Sequence, residues 1–374
     1  MIRSIGILGG GQLGRMLTLE AKRMGYRVVT LEPLPDSPCG QVADEQLVAA
    51  YDDERALGEL GARTDVVTYE FENIPLGSVE LLEAHGRRVR PSAAVLRIAQ
   101  DRLLEKAFVV ESGAAVAPFR AVFDEATAQA AIAAIGFPAV VKTARGGYDG
   151  KGQWRVGDGD DVSRALGEAA GAALIYERFV PFDVEVSIIC ARGADGTAVA
   201  FPVTENRHDR GVLVTTIVPA RVSPRVAARV REAALRIGER LGLVGAYCVE
   251  FFVAGDDVLV NEIAPRVHNS GHYSLDATQI SQYEAHVRAI CDLPLVAPQL
   301  FEPAVMMNVL GAGRGDTLTG VEDLLRDPGL KLHVYGKVHA ALRRKMAHFT
   351  VLAPTASDAL ARAESGAAKL CWSA

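Results

Sequence analysis

Long apolar runs, paired cysteines and an excess of basic residues are all missing from this 374-residue chain. A membrane-spanning helix needs ~18–20 apolar residues, and the nearest candidate, Ala126 to Val141, is interrupted by Gly136 and Pro138. The opening MIRSIGILGGG reaches a glycine loop after four strand-like residues, without the apolar core of a secretory signal. Five scattered cysteines (Cys39, Cys190, Cys248, Cys291, Cys371) form no C-x-x-C pair and make an odd total. That argues against a disulfide framework or a zinc ribbon and for a reducing compartment. With 40 Lys+Arg against 46 Asp+Glu the net charge is −6, which lacks the basic excess of a general nucleic-acid binder but leaves room for a local phosphate patch. Repeats and low-complexity tracts are absent, and 49% hydrophobic with 23% charged residues excludes disorder. The expectation is a cytoplasmic protein with no membrane or nucleic-acid partner. Its length suits two or three domains, since single cores stop growing near ~250–300 residues.

What is present begins as alternating α/β sequence. Ile5 to Leu8 reads as a strand, Leu13, Met16, Leu17, Ala21 and Met24 fall at helical spacing, and Gly25 stands where that helix should end. Strand-like Val28–Leu31, Val66–Tyr69 and Val89–Pro91, with a helix near Asp53–Leu60, predict a parallel sheet. From about residue 95 the pattern becomes α+β. Asp124 caps a helix that stops at Gly136, Ala139–Lys142 is a strand, Val162–Ala170 a helix and Leu174–Phe179 a strand. Ser223-Pro224 starts a helix with an apolar face of Val226, Val230, Ala233, Ile237 and Leu241, closed by Gly242. Ala246–Val253 and Val258–Ala264 predict an antiparallel hairpin around the four-residue turn AGDD, and Leu293–Pro303 reads as a linker.

Gly9, Gly11 and Gly14 spell G-x-G-x-x-G between a strand and a helix, with Glu32 18 residues after Gly14. That is the outline of a dinucleotide site, yet free N–H groups at a helix start suit any phosphate, and a plain tight turn satisfies the same glycines. A second glycine loop, TARGGYDGKGQW, follows Lys142 and lies between two strands, unlike a P-loop. Its backbone N–H groups, with Arg145 and Lys151, can neutralise a polyphosphate; the alternative is a solvated surface hairpin.

Three further features bear on that loop. Glu250 and Glu262 are the lone charges of AYCVEFFV and VLVNEIA, and the hairpin sets them within one residue of directly opposite. Like charges that close repel unless a cation lies between them, and Mg²⁺ with phosphate takes one or two carboxylates, with Asn261 offering another oxygen; the alternative is two acids on the solvated face of an edge hairpin. In YERFVPFDVEVS, Glu177 and Glu185 can accept from an adenine amine or ribose hydroxyls, although surface acids are common. The stretch APRVHNSGHYS concentrates Arg266, His268, Asn269, Ser270 and His272, where a phosphate or polar ring is a better ligand than zinc.

Together these segments resemble the ATP-grasp superfamily and, within it, the N5-carboxyaminoimidazole ribonucleotide synthetases. The resemblance rests on GGGQLGRM, YEFENIP, GGYDGKGQ, ERFVPFDVEVS, VNEIAPRVHNSGHYS, YGK and RRKMAH, and it runs nearly the whole length. It implies an N-terminal Rossmann-like pre-ATP-grasp domain (1–95), an ATP-grasp domain (96–295, lid about 115–180) and a C-terminal domain (296–374). It assigns ATP to Arg102, Lys142, Gly147, Tyr148, Asp149, Gly150, Lys151, Gly152, Gln153, Glu177, Arg178, Phe179, Val180, Glu185, His208, Asn261 and Glu262. Glu250 and Glu262 become Mg²⁺ ligands, and Lys142, Lys151 and Arg266 the catalytic cations. Aminoimidazole ribonucleotide falls to Gly11, Gln12, Leu13, Tyr148, Asp149, Arg266, His268, Asn269, Ser270, Lys337 and Arg344. The implied reaction is ATP-dependent carboxylation of that ribonucleotide by bicarbonate through carboxyphosphate, in a homodimer. Val267 and Ala347 depart from the usual Pro and Gly. A formate-using glycinamide ribonucleotide transformylase, a nicotinamide oxidoreductase built on the first loop and a non-catalytic nucleotide sensor remain alternatives.

Overall fold

The computed structural model describes residues 2–147 and 150–373. Four parallel strands form the first sheet: β1 (Ser4–Leu8), β2 (Arg27–Leu31), β3 (Glu45–Leu47) and β4 (Val66–Tyr69), in spatial order β3-β2-β1-β4. Helix α1 (Gln12–Arg23) follows β1 because Leu13, Met16, Leu17 and Ala21 make one buried face, and Gly25 at φ +86° lies just beyond its end. Helices α2 (Glu54–Arg63), α3 (Leu76–Ala84) and α4 (Ala93–Ala99) bury Leu57, Leu60, Val79, Leu82 and Leu96 against the sheet. The strand expected at Val89–Pro91 does not form. Val89 makes one isolated bridge to Val67, and Pro91 has no N–H with which to extend the ladder.

Helix α5 (Arg102–Glu111), capped by Asp101, leads into a small antiparallel sheet of order β5-β8-β6-β7. Its strands are β5 (Phe119–Val122), β6 (Ala139–Thr143), β7 (Gln153–Val156) and β8 (Leu174–Arg178), covered by α6 (Glu125–Ile135) and α7 (Gly159–Glu168). The last helix starts three residues before the expected Val162 because the Asp158 carboxylate accepts from Asp161 N–H. The second glycine loop is the connection between β6 and β7, so it hangs from an antiparallel pair.

The largest sheet has nine strands and takes all the remaining strands except Thr317–Thr319 and Cys371–Ser373, which pair with each other. It contains β9 (Val184–Arg192), β10 (Ala198–Ala200), β11 (Thr204–Asp209), β12 (Val212–Val218), β13 (Gly245–Ala254) and β14 (Asp257–Ala264), backed by α8 (Pro224–Arg240). Ala254 pairs with Asp257, so the β13–β14 hairpin turns on Gly255 and Asp256 alone, tighter than the four-residue turn expected. Glu250 and Glu262 are direct register partners beside a bulge. After α9 (Ser274–Ala277) and α10 (Gln282–Ile290), the chain adds β15 (Ala304–Leu310) next to β12. The sheet therefore continues into the C-terminal region, where β16 (Thr317–Thr319), α11 (Val321–Leu324), β17 (Leu330–Val334), β18 (Lys345–Leu352), α12 (Ala356–Ala367) and β19 (Cys371–Ser373) follow.

Candidate active site

A cleft of about 800 Å³ opens where the three regions meet. Its base is the face of β13 and β14 that carries Glu250, Asn261 and Glu262, and its roof is the β6–β7 loop with Gly147, Gly150, Lys151, Gly152 and Gln153. Gly146, Gly150 and Gly152 all have φ near +70°, a conformation other residues resist, so the loop's shape depends on them. Tyr148 and Asp149 lie outside the described residues.

Charge is arranged in pairs along this cleft. Lys142 Nζ lies 2.6 Å from one Glu177 oxygen and Lys106 Nζ 3.2 Å from the other, all three side chains buried. Burial alone would raise the Glu177 carboxyl, but the two lysines outweigh it and hold it down at about 2. Arg102 Nη1 donates to Glu262 at 3.0 Å, which holds that carboxylate ionised against burial. Glu250 moves the other way, raised first by burial and then by the charge of Glu262. The pair thus favours a single negative charge until a cation arrives. Asn261 Oδ1 beside them is buried without a hydrogen-bond partner, so three oxygens of a kind that suits Mg²⁺ converge.

At one end of the cleft, Glu177 to Val180 lead out of β8, and Arg155 stacks 4.2 Å above the Phe179 ring. Glu185 and His208 form an ion pair on adjacent strands β9 and β11, which raises the imidazole against its burial. At the other end, Arg266 forks onto Glu72, with Nη2 to Oε1 at 2.9 Å. His268 and Asn269 line the cleft there. Ser270 sits behind, its hydroxyl 2.9 Å from His268 Nδ1. The tight turn Asn269–Gly271 sends His272 away from His268 into the interior, where Nδ1 meets the Tyr283 hydroxyl at 2.9 Å. The two histidines share no ligand.

The first glycine loop holds something other than a nucleotide. Gly11 N–H donates to Glu70 Oε1 at 2.7 Å and Gly14 N–H to Oε2 at 2.8 Å, so the anion seat at the start of α1 is filled by the protein's own carboxylate. Glu32, which a dinucleotide would use for its ribose, is bonded to the Tyr51 hydroxyl. The dinucleotide reading is overturned, because a pyrophosphate would have to displace a buried carboxylate from the same N–H groups. Gln12 and Leu13 still line the cleft, while Gly11 is spent on Glu70.

Comparison with known proteins decides the family. The chain matches the ribonucleotide synthetase preATP-grasp domain over residues 2–100, the ATP-grasp domain over 107–283 and the phosphoribosylaminoimidazole carboxylase C-terminal domain over 304–362. It is 46% identical to the N5-carboxyaminoimidazole ribonucleotide synthase of Brucella melitensis over 354 residues, 94% of this chain and 96% of that protein. The chain belongs to the N5-carboxyaminoimidazole ribonucleotide synthase family. Two solved members agree along the whole fold. The Staphylococcus aureus enzyme complexed with ADP superposes with a TM-score of 0.90 at 37% identity, covering 98% of this chain and 97% of that one. The Aspergillus clavatus enzyme, in complex with ADP and 5-aminoimidazole ribonucleotide, gives 0.91 at 30%, covering 98% of both. This synthase-family chain is thus a pre-ATP-grasp, ATP-grasp and C-terminal assembly of mixed α/β type.

Within the synthase frame some side chains go where the motifs did not point. Arg344 Nη1 donates to the His339 carbonyl, outside the cleft, and its neighbour Lys345 lines the cleft instead. Lys337 also stands back, its ammonium 2.7 Å from the Lys345 carbonyl. Glu70, Glu72 and Glu105 belong to the cleft lining without having been singled out, and buried Lys106 supports it from behind. A helix-face reading finds two of them, since Arg102, Glu105 and Lys106 stand at i, i+3 and i+4.

Proposed function

We propose that this cleft carries out the carboxylation of 5-aminoimidazole ribonucleotide by bicarbonate, driven by conversion of ATP to ADP and phosphate. A bicarbonate oxygen attacks the γ-phosphorus of ATP, giving carboxyphosphate and ADP. Carboxyphosphate breaks its C–O bond to release CO₂ and phosphate, and the exocyclic amine adds to CO₂ and loses a proton, leaving the N5-carboxylate. The observation that carries this reading is the facing of two surfaces across one cleft: the acid pair with unpartnered Asn261 below, and the glycine loop with Lys142 and Lys151 above. In it, Glu177 to Val180, Glu185 and His208 hold the nucleoside, and Arg102, Lys142, Lys151 and the loop hold the phosphates. Mg²⁺ on Glu250 and Glu262, with Asn261, would neutralise developing phosphoryl charge.

Gln12, Leu13, Arg266, His268 and Asn269 take the ribonucleotide side, with Ser270 orienting His268 and Lys345 adding the cation that Arg344 does not supply. No side-chain nucleophile is required. The lysines stabilise charge, and the loop, closed over the cleft, keeps water from the short-lived anhydride. The reading further takes the chain as a cytoplasmic homodimer with domains at 1–95, 96–295 and 296–374. Five free thiols suit a reducing compartment, and among the described residues no helix is long and apolar enough to cross a membrane. ADP release measured with Mg-ATP, bicarbonate and the ribonucleotide, omitting each in turn, tests the chemistry: release should need all three. Release indifferent to the ribonucleotide would mean the acceptor is wrong.

A further inference from the structure

Glu250 belongs to two donor sets. Toward β14 it faces the oxygens of Glu262 and Asn261 described above. On its own strand, two residues back and on the same face, lies Cys248, and across from it lies His268. One ligand atom from each of Cys248, Glu250 and His268 falls within 4.8 Å of the other two. His268 Nε2 stands 3.3 Å from Glu250 Oε1, which is already about the separation of two donors on one tetrahedral ion.

The surroundings fit the same purpose. His268 is oriented through its other nitrogen, Nδ1, which is 2.9 Å from the Ser270 hydroxyl, and that hydroxyl is in turn fixed by Ser187 at 2.8 Å. Ligating histidines are commonly held in this way, by a polar partner on the ring nitrogen that does not touch the metal. Cys248 is fully buried at the floor, and Glu250 and His268 open to the cleft, so an ion can enter from the cleft and reach the sulfur last. Three protein donors leave one tetrahedral position open toward the phosphate side.

We infer that Cys248, Glu250 and His268 form a binding site for a thiophilic divalent cation such as Zn²⁺, and that its occupation inhibits the enzyme by withdrawing Glu250 and His268 from their work. Mg²⁺ is a hard ion that favours six oxygens, whereas sulfur and imidazole nitrogen favour zinc. The two donor sets therefore select different metals while competing for one carboxylate. On binding, the Cys248 S–H bond breaks, the sulfur pair goes to the metal and the proton leaves to solvent. The single ring proton of neutral His268 moves from Nε2 to Nδ1, which gives up its acceptor role toward the Ser270 N–H and donates to the Ser270 hydroxyl instead, and the freed Nε2 lone pair goes to the metal. The binding half of this inference stands on the three donors alone; the inhibitory half rests on the proposed Mg²⁺ role of Glu250.

Cobalt(II) reports thiolate ligation by a near-ultraviolet charge-transfer band, so it serves as the probe in the full-length protein. Exposed Cys371 is first replaced by Ser to remove a competing thiol. One equivalent of Co²⁺ should give the band in Cys371→Ser, and the added change Cys248→Ser should abolish it. Zn²⁺ should suppress ADP release reversibly, a chelator restoring it, and Cys248→Ser should raise the inhibitory Zn²⁺ concentration roughly ten-fold or more. The uninhibited rate of the Cys248→Ser variant should stay at the parent's level, which shows that it folds. A band that survives Cys248→Ser, or a parent protein that gives none, overturns the site. A Cys248-dependent band with activity indifferent to Zn²⁺ upholds the site and removes Glu250 from the Mg²⁺ set instead.

Discussion

Two glycine-rich loops border the same cleft, and their backbones meet opposite partners. The loop at Gly9–Gly14 has the sequence outline of a nucleotide site, yet Glu70 from the end of β4 already accepts from its N–H groups. The loop at Gly146–Gly152 matches no P-loop, yet among the described residues no carboxylate accepts from its backbone, and Lys142 and Lys151 stand beside it. The difference shows that glycine content supplies only a backbone able to approach an anion. Whether a ligand takes the place depends on what the rest of the fold puts there first. In the first loop that is an internal anion, so the helix start serves to join β4 to α1 and to shape that end of the cleft. In the second, none of the described carboxylates fills that place.

The largest effect that can test this contrast lies under the second loop. Glu262→Gln removes a full charge from the acid pair, so ADP release should fall about 10²- to 10³-fold, and the variant should also be less stable at neutral pH because partly buried Arg102 loses its ionic partner. A rate within twofold of the wild type would take Glu262 out of the phosphate site. Next in size is a pair of neighbours at the proposed ribonucleotide end. Lys345→Gln should lower kcat/KM for the ribonucleotide about ten- to a hundred-fold, because Lys345 lines the cleft. Arg344→Gln should change it less than about twofold, since Arg344 is bonded to His339 instead. The reverse ranking in steady-state kinetics would restore Arg344.

That pair also marks the limit of what could be read without coordinates. The acid pair was legible because two lone charges on a hairpin must face one another, and the register Glu250 to Glu262 shows that they do. The caps at Asp124 and Ser223 were legible because capping is local. Choosing Lys345 over Arg344 depends on where β18 begins and which way its first residue points, and the RRK run carries no such signal. The seat of Glu70 on Gly11 and Gly14 joins residues 59 and 56 positions apart, and Glu72 meets Arg266 across 194. Both acids lie in YEFENIP, yet their partners are chosen by the packing of β4 beside β1 and by the meeting of two domains, which leave no periodic trace.

The first loop can be broken in a more instructive way. Glu70→Ala leaves one buried and one partly buried N–H group without an acceptor, so the protein should lose about 2 kcal/mol of stability in urea unfolding. It should also gain a response: inorganic phosphate should raise the melting temperature of the variant more than that of the wild type, because an external anion now completes the seat. Arg266 and Lys337 already exert a favourable pull on charge at that spot. Equal phosphate responses in the two proteins would show that something other than the resident carboxylate keeps this loop from binding anions.

The smallest effect separates the two loops by pH. Burial raises the Glu70 carboxyl against the pull of the Gly14 and Gly11 N–H groups, whereas two lysines bring Glu177 down to about 2. These shifts have opposite consequences for stability. A raised carboxyl favours the fold in its protonated form, and that contribution is lost as pH rises through its folded value. A depressed one favours the fold when ionised, so the contribution of Glu177 is present above the usual glutamate range and is lost as pH falls toward its folded value of about 2. Glu177→Gln should therefore be least stable relative to the wild type at neutral pH, with the gap narrowing as urea unfolding is repeated from about pH 5 down to about pH 3. Glu70→Gln should show no such narrowing, because the cost of ionising Glu70 in the fold is itself relieved on acidification. A gap for Glu177→Gln that stays constant across that range would mean that Lys106 and Lys142 do not hold this carboxylate ionised, and the second loop would then lack the cationic wall that distinguishes it from the first.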